Sequence, residues 1–210
     1  MNMPKNPEGI KLSILMLSIP SRIEQYLELQ NKILEQIGDR EDVELICLLD
    51  NKSLHIYEKR NELLRTARGK FLTWLDDDDD IAHNYIESIT SAIQENPEAD
   101  VISFNQKAYL NGESLNVFAK MGNPHEPVRR HISGIGFTDC KRPPYHWCVW
   151  NSNLAKSESF NENYSHTGQS CEDIDWLRRL YPKVNNEIHL DEFLHIYRWS
   201  SETTESVVRQ

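Results

Sequence analysis

The sequence predicts an α/β domain built on a mainly parallel sheet flanked by helices. Over the first hundred residues, short near-continuous apolar runs alternate with amphipathic helical patterns. Strands buried on both faces read as such runs, and parallel strands need helical crossovers between them. Polar and acidic residues stand directly behind these strands, at the carboxyl ends where functional groups gather in sheets of this kind. A turn signal at Asn111-Gly112 then interrupts the alternation and predicts an antiparallel excursion.

Lys11 to Ser18 is the first buried strand, ended by Pro20. Ser21-Arg22-Ile23-Glu24 has the spacing of a capping box, so a helix is expected from there, with Ile23, Tyr26, Leu27, Ile33, Leu34 and Ile37 inward and Gly38 as its C-terminal cap. Val43 to Leu49 is the second strand and closes on Asp50. A helix through Tyr57, Leu64 and Ala67 follows, ending near Gly69. Lys70 to Leu75 is the third strand. A helix from near His83 turns Tyr85, Ile86, Ile89 and Ile93 inward, and Asp100 to Phe104 opens a fourth strand. Lys107 to Leu110 and Leu115 to Phe118 flank the hairpin turn. Gly122 to Pro144 has no periodicity, and a long irregular stretch in a compact domain is commonly a functional loop. Tyr145 to Trp150 is apolar and aromatic, with Trp147 and Trp150 either stacking surfaces or core. Cys171-Glu172-Asp173 begins a helix with acids in its first turn, which suits the helix dipole.

A chain of 210 residues, 39% hydrophobic and 27% charged, suits one domain spanning 1–210. The apolar run ILML is too short for a signal core and no stretch reaches the length of a membrane span, so a cytoplasmic protein is expected. Cys47, Cys140, Cys148 and Cys171 lack paired spacing and are expected as reduced core residues. His146, Cys148 and Cys171 can be drawn as metal ligands, but the spacing is unspecific. A net charge of −10 disfavours nucleic acid as a whole. The basic clusters at Val128 to His131 and Lys141-Arg142 are expected as solvated surface.

Five aspartates, Asp76 to Asp80, follow the buried FLTWL. Crowded carboxylates there repel one another and lose solvation, which calls for open water or a cation. Mg²⁺ or Mn²⁺ takes one or two carboxylates and fills other positions with substrate phosphates. Alternate carboxylates of a loop face one side, so Asp76 and Asp78 can converge. The helical context of terpene synthases and the spacing of an EF-hand loop both fail here.

The order of features resembles the family 2 glycosyltransferases of the GT-A fold: Ser18-Ile19-Pro20, Asp50, Lys59-Arg60-Asn61, Ala67-x-Gly69-Lys70-Phe71, Leu75-Asp76-Asp77-Asp78-Asp79, Glu172-Asp173 and Tyr197-Arg198. The resemblance implies a Rossmann-like sheet with a nucleotide-sugar-binding half at about 10–104 and an acceptor-binding, catalytic half at about 105–200. Residues 201–210 would be a tail or lid. It implies that Asp50 contacts the nucleotide base, that Asp76, first acid of the Asp-x-Asp motif, lies near the ribose, and that Arg60 lies near the nucleotide. Ser18 and Pro20 belong to the same donor rim. Asp77 is grouped with them, although it and Asp80 are expected largely toward solvent, with Asp79 bracing the loop. Asp78 is the implied metal ligand for Mn²⁺ or Mg²⁺. Asp173 matches the catalytic base of inverting members and Glu172 a neighbour that orients base or acceptor. Many members place a metal-binding histidine just after the Tyr-Arg pair. Trp199 and Ser200 stand there in this chain, leaving His195 as a substitute ligand or a core residue.

The implied activity is inverting, metal-dependent transfer of a sugar from a nucleoside-diphosphate sugar, taken as a UDP-sugar, to an acceptor hydroxyl. A saccharide, a protein side chain or a hydroxymethylated DNA base are the candidate acceptors. A nucleotidyltransferase lacks support in a Gly-rich phosphate loop. A non-catalytic nucleotide-sugar or carbohydrate-binding module is disfavoured by Glu172-Asp173.

Overall fold

The computed structural model describes residues 9–163 and 171–199; the predicted tail at 201–210 lies outside them. The elements run β1 (Leu12–Ser18), α1 (Ile23–Ile37), β2 (Val43–Leu49), α2 (Ile56–Thr66), β3 (Phe71–Asp76), β4 (Asp80–Ile81), α3 (Tyr85–Glu95), β5 (Val101–Leu110) and β6 (Glu113–Ala119). Then come β7 (Arg129–Arg130), β8 (Phe137–Thr138), β9 (Cys140–Arg142), β10 (Val149–Asn151), α4 (Ser152–Ala155), α5 (Glu172–Leu180) and β11 (Glu187–Trp199).

The main sheet has the order β2-β1-β3-β10-β5-β11-β4, with β6 on β5 and β9 on β6. β1 pairs in parallel with β2 and β3, and β5 with β11. β10 runs antiparallel between β3 and β5, so β5 points the same way as β3. The mainly parallel sheet is therefore as expected, but the third and fourth long strands are separated by a three-residue strand from much later in the chain.

Helices cover both faces. On β3, Thr73 meets the Tyr85 hydroxyl of α3 at 3.1 Å, whereas its neighbour Trp74 meets Phe160 edge-on at 5.3 Å. Successive strand residues face opposite ways, so α3 lies on one face and Phe160, stacked on Trp176 of α5, on the other. Trp147 and Trp150 are both buried in this core, which leaves neither as a platform for a sugar ring.

Two local expectations fail at α1. Pro20 opens a 3-10 turn over Pro20–Arg22, which draws Ser21 into the turn and leaves Arg22 as the N-cap with no side-chain cap bond. The inward stripe is Tyr26, Leu29, Ile33 and Ile37, while Ile23, Leu27 and Leu34 are exposed. Both stripes have helical spacing, and packing against the sheet selects the one containing Leu29. At the hairpin, Asn111 and Gly112 take φ of 50° and 85°, as a tight turn between β5 and β6 requires.

Gly69 lets β3 begin directly beside β1. A Cβ there would lie 2.6 Å from Phe71 O and Ser13 N and 2.8 Å from Leu12 C, all backbone atoms that cannot move aside cheaply. Gly69→Ala is expected to destabilise the fold by about 2 kcal/mol, read as a lower urea midpoint at unchanged slope; an unchanged midpoint would refute the close approach.

Candidate active site

The carboxyl ends of β1, β2 and β3 form one rim carrying Ser18, Asp50 and Asp76. Asp50 braces the loop after β2: its Oδ2 accepts from Ser53 N at 2.8 Å, Ser53 Oγ at 3.0 Å and Leu54 N at 3.1 Å, and its Oδ1 pairs with buried Lys59. Burial opposes ionisation, but Lys59 and these donors hold the Asp50 carboxyl well below the usual range.

The five aspartates do not form a block. The backbone turns tightly, with Asp79 N–H donating to Asp76 O at 3.1 Å, and returns as β4 against β11. That turn sends each carboxylate to different partners. Asp76 faces Arg60 Nη2 at 3.4 Å and His146 Nε2 at 3.5 Å. Asp77 accepts from Ser18 Oγ at 2.7 Å and Arg22 Nη1 at 2.8 Å. Among the described residues, the ion pair of Asp78 is with the other arm of Arg22, at 3.2 Å. Asp79 abuts His195 Nε2 at 3.1 Å, and Asp80 accepts from Lys32 at 3.0 Å and Arg198 at 2.7 Å. The expectation that Asp77 and Asp80 face solvent is thus corrected: both are buried, because the returning turn aims them at cations on α1, β11 and the 3-10 turn. Pro20 is exposed at the start of that turn.

Burial, then the carboxylates of Asp79 and Asp76, push Asp78 up to about 7 against the pull of Arg22. Asp79 is also raised by burial, partly offset by His195. Its Oδ1 is buried without a hydrogen bond from the described residues. His195 is fully buried and stacked on Trp147 at 5.0 Å, with Nδ1 2.9 Å from Gln106 Nε2. The structure therefore sets it against Asp79 rather than Asp78.

A residue outside the predicted site joins its two halves. β10 pairs antiparallel with β3 with Trp150 opposite Leu72. Just ahead of β10 the chain turns, with Cys148 N–H donating to Tyr145 O at 3.0 Å, and this turn sets His146 against Asp76. From there His146 Nδ1 reaches Asp173 Oδ2 at 3.1 Å, at the first turn of α5. Burial pulls the imidazole toward neutrality, but Asp173 and Asp76 outweigh it and raise His146 to about 9. Asp173 is correspondingly lowered despite its burial, and its Oδ1 accepts from Ile174 N at 2.7 Å. Arg60 closes the network: its Nε donates to Glu172 Oε1 at 2.9 Å, and its guanidinium lies over Trp74 at 5.2 Å and Phe160 at 5.7 Å. In the sequence, His146 stood out only as an unspecific metal-ligand candidate beside Cys148 and Cys171, Lys59 only as a neighbour of Arg60 in the family motif, and Arg22 only by its charge.

Because His146 is raised in the folded state, its contribution is complete below its unfolded value near 6.5 and is lost as pH rises toward about 9. Unfolding measured across that window should show the protein losing on the order of 3 kcal/mol, a loss absent in His146→Gln; parallel pH profiles for the two proteins would remove the imidazolium from the network. Arg60→Met leaves Glu172 and Asp76 without their buried cation and should cost roughly 3–5 kcal/mol, measured by denaturant unfolding. A cost below 1 kcal/mol would mean that the pair behaves like a surface contact.

The family model described as glycosyl transferase family 2 matches residues 31–142, just over half of the chain. Glycosyltransferase GlyG of Streptococcus pneumoniae serotype 4 (strain TIGR4) is 25% identical over 144 residues, 67% of this chain and 48% of that protein. The chain thus spans about half the length of that curated relative. Among solved structures, S. aureus TarS matches with a TM-score of 0.62 at 17% identity, over 92% of this chain and 37% of TarS. TarS 1-349 in complex with UDP matches with a TM-score of 0.64 at 17% identity, over 92% of this chain and 62% of that one. Its complex with UDP-GlcNAc matches with a TM-score of 0.62 at 17% identity, over 91% of this chain and 59% of that one. At such identity the likeness is one of fold, and that fold is GT-A. No helix among the described residues is long and apolar enough to cross a membrane. With strand order, aspartate turn and family match in agreement, the chain belongs to glycosyl transferase family 2.

Proposed function

We propose that the chain is an inverting, divalent-metal-dependent glycosyltransferase that moves a sugar from a UDP-sugar to an acceptor hydroxyl. The observation that carries this reading is the meeting of Asp76, on the donor rim, and Asp173, at the head of α5, on the single imidazole of His146. A donor held at the first and an acceptor held at the second would then face each other across a few ångströms of rigid protein. The TarS complexes contain UDP and UDP-GlcNAc, which favours uridine in the donor.

On the donor side, Asp50, Asp76 and Arg60 line the rim, and Ser18 with Arg22 fixes Asp77, setting the pitch of the turn. Asp78 fits a Mn²⁺ or Mg²⁺ site. It is poorly compensated, crowded by carboxylates, and adjoins the hydrogen-bond-free Asp79 Oδ1. His195 fits less well as a ligand, since its two ring nitrogens already face Gln106 and Asp79. When bound, the metal would stabilise negative charge on the departing diphosphate as a Lewis acid. Asp173 would take the acceptor's proton as general base. His146 and the Ile174 N–H hold that carboxylate in one orientation, and Glu172, tied to Arg60, keeps the start of α5 in place. A saccharide, a protein side chain and a hydroxymethylated DNA base are the acceptor classes, and the segment from Gly122 to Trp150, which carries the short strands β7, β8 and β9, would shape their site.

Purified protein with Mn²⁺ and UDP-sugars should bind donor and hydrolyse it slowly. Asp78→Ala should lose the metal-dependent part, and donor binding that ignores both metal and this change would sink the metal assignment. Since Asp78 must ionise to hold a cation, Mn²⁺ affinity should rise through its pKa of about 7. Asp173→Asn should keep donor binding while transfer falls by at least about a hundredfold; full transfer would remove Asp173 as base.

A further inference from the structure

The hairpin of β7 and β8 holds an apolar tip outward. Ile132 is 109% exposed and Ile135 80%. The tip is a built turn: Arg129 and Arg130 pair with Thr138 and Phe137, His131 N–H donates to Gly136 O at 3.2 Å, and Gly134 N–H donates to His131 O at 2.8 Å. Gly134 and Gly136 take φ of 74° and 73°, a conformation that side chains resist, and this reverses the chain between the two isoleucines and β8. Arg130 fastens the hairpin to the body, pairing with Glu113 at 2.9 Å and lying over Phe137 at 4.7 Å.

The charge around this tip opposes that of the molecule. Within a chain of net charge −10, residues 120–142 carry five Lys or Arg and two acids. Arg129, Arg130, His131 and Lys141 are exposed. Both acids are engaged locally, Glu126 by the Lys141 N–H and Asp139 by Asn116.

We propose that this hairpin docks the protein on an anionic membrane surface, with Ile132 and Ile135 entering the acyl boundary and Arg129, His131 and Lys141 meeting lipid phosphates. A small convex apolar wedge with a basic collar suits a bilayer interface, where apolar burial and attraction to anionic lipid add. It suits a protein partner less well, because a stable interface needs roughly 800 Å² from each side. Nucleic acid would use the cations but leave the isoleucines unrewarded. Glu113, the hairpin's anchor, directly follows the turn at the carboxyl end of β5, and β5 runs parallel to β3. The tip therefore stands on the same rim as the aspartate turn, so docking would bring that rim to the membrane. Binding through so small a wedge is weak and reversible, and it does not depend on the chemistry proposed for the site.

Co-sedimentation of the full chain with phosphatidylcholine vesicles, with and without one third phosphatidylglycerol, tests this at low salt. The protein should pellet with the anionic vesicles and stay in solution with the neutral ones. Ile132→Ser/Ile135→Ser should abolish pelleting, and Arg129→Gln and Lys141→Gln should each weaken it roughly fivefold. All four positions are exposed, so folding is spared and circular dichroism should be unchanged. Three results would overturn the proposal: no pelleting of the parent protein, equal pelleting of the isoleucine variant, or a dimer seen by light scattering that the isoleucine variant alone dissolves.

Discussion

The contact of one buried imidazolium with two carboxylates, His146 with Asp76 and Asp173, sets the geometry of the candidate site. Three acids crowd one corner, Glu172 and Asp173 largely shielded and Asp76 open at its outer edge, and Arg60 and His146 are the buried cations that face them. The shielded charges of Glu172 and Asp173 are tolerable only when opposite charges are held at bonding distance, since bulk water and salt reach them poorly. The position of each acid is therefore tied to the position of its cation. Arg60 comes from α2, which packs beside Phe160 through Asn61, and His146 comes from the residues leading into β10. The first turn of α5 is thereby fixed by two elements that belong to different halves of the chain.

The aspartate run follows the same logic at finer grain. Consecutive carboxylates coexist because a tight turn and the return into β4 divide them among Arg60 with His146, Ser18 with Arg22, His195, and Lys32 with Arg198. Asp78 receives the poorest share, one arm of an arginine already bonded to Asp77. Burial and the carboxylates of Asp79 and Asp76 raise its pKa, and that one arm offsets them too weakly. A divalent cation would correct it at the place where diphosphate oxygens could complete the coordination. The surrounding pairs matter to this because they prevent the other four carboxylates from rearranging to serve Asp78.

Much of the sheet was legible from periodicity. β1, β2 and β3, the inward face of α3 and the β5–β6 hairpin lie within a few residues of where apolar runs and the Asn-Gly turn place them. α1 shows where the pattern is degenerate: two apolar stripes run along one helix, and only contact with the sheet selects Leu29 over Leu27 and Leu34. The Ser-x-x-Glu cap lost to Pro20, whose fixed φ favours a 3-10 turn. β4 and β10 are too short to produce a period, and β11 mixes charged with apolar residues through EIHLDEFLHIYRW. In the site, the acids were legible because crowded charge after a buried strand needs an explanation. Their pairings were not, because which acid Arg22, Lys59 and His146 meet is decided only by tertiary contact. Asp77 and Asp80 were misplaced for that reason: a run of acids looks solvated until the cations that bury it are known.

The antiparallel β10 explains why so short a strand matters. Had β5 paired directly with β3, the rim would have offered Asp76 only the residues of the first half of the chain. Inserting a strand that runs the other way brings its entry, rather than its exit, to the carboxyl end of β3. Thr73 Oγ1 donates to Trp147 O at 2.9 Å, which holds the entry on the strand beyond the paired residues. Trp147 stacks on His195, and His195 meets Asp79, so the same entry segment braces both ends of the aspartate turn. His146 and Trp147 share one turn, closed by Cys148 N–H on Tyr145 O, so displacing that turn would part His146 from Asp76 and Trp147 from His195 together. Donor rim, aspartate turn and the head of α5 are therefore coupled through one turn, and the buried packing of Trp147 and Trp150 on either side of Cys148 is what holds it in place.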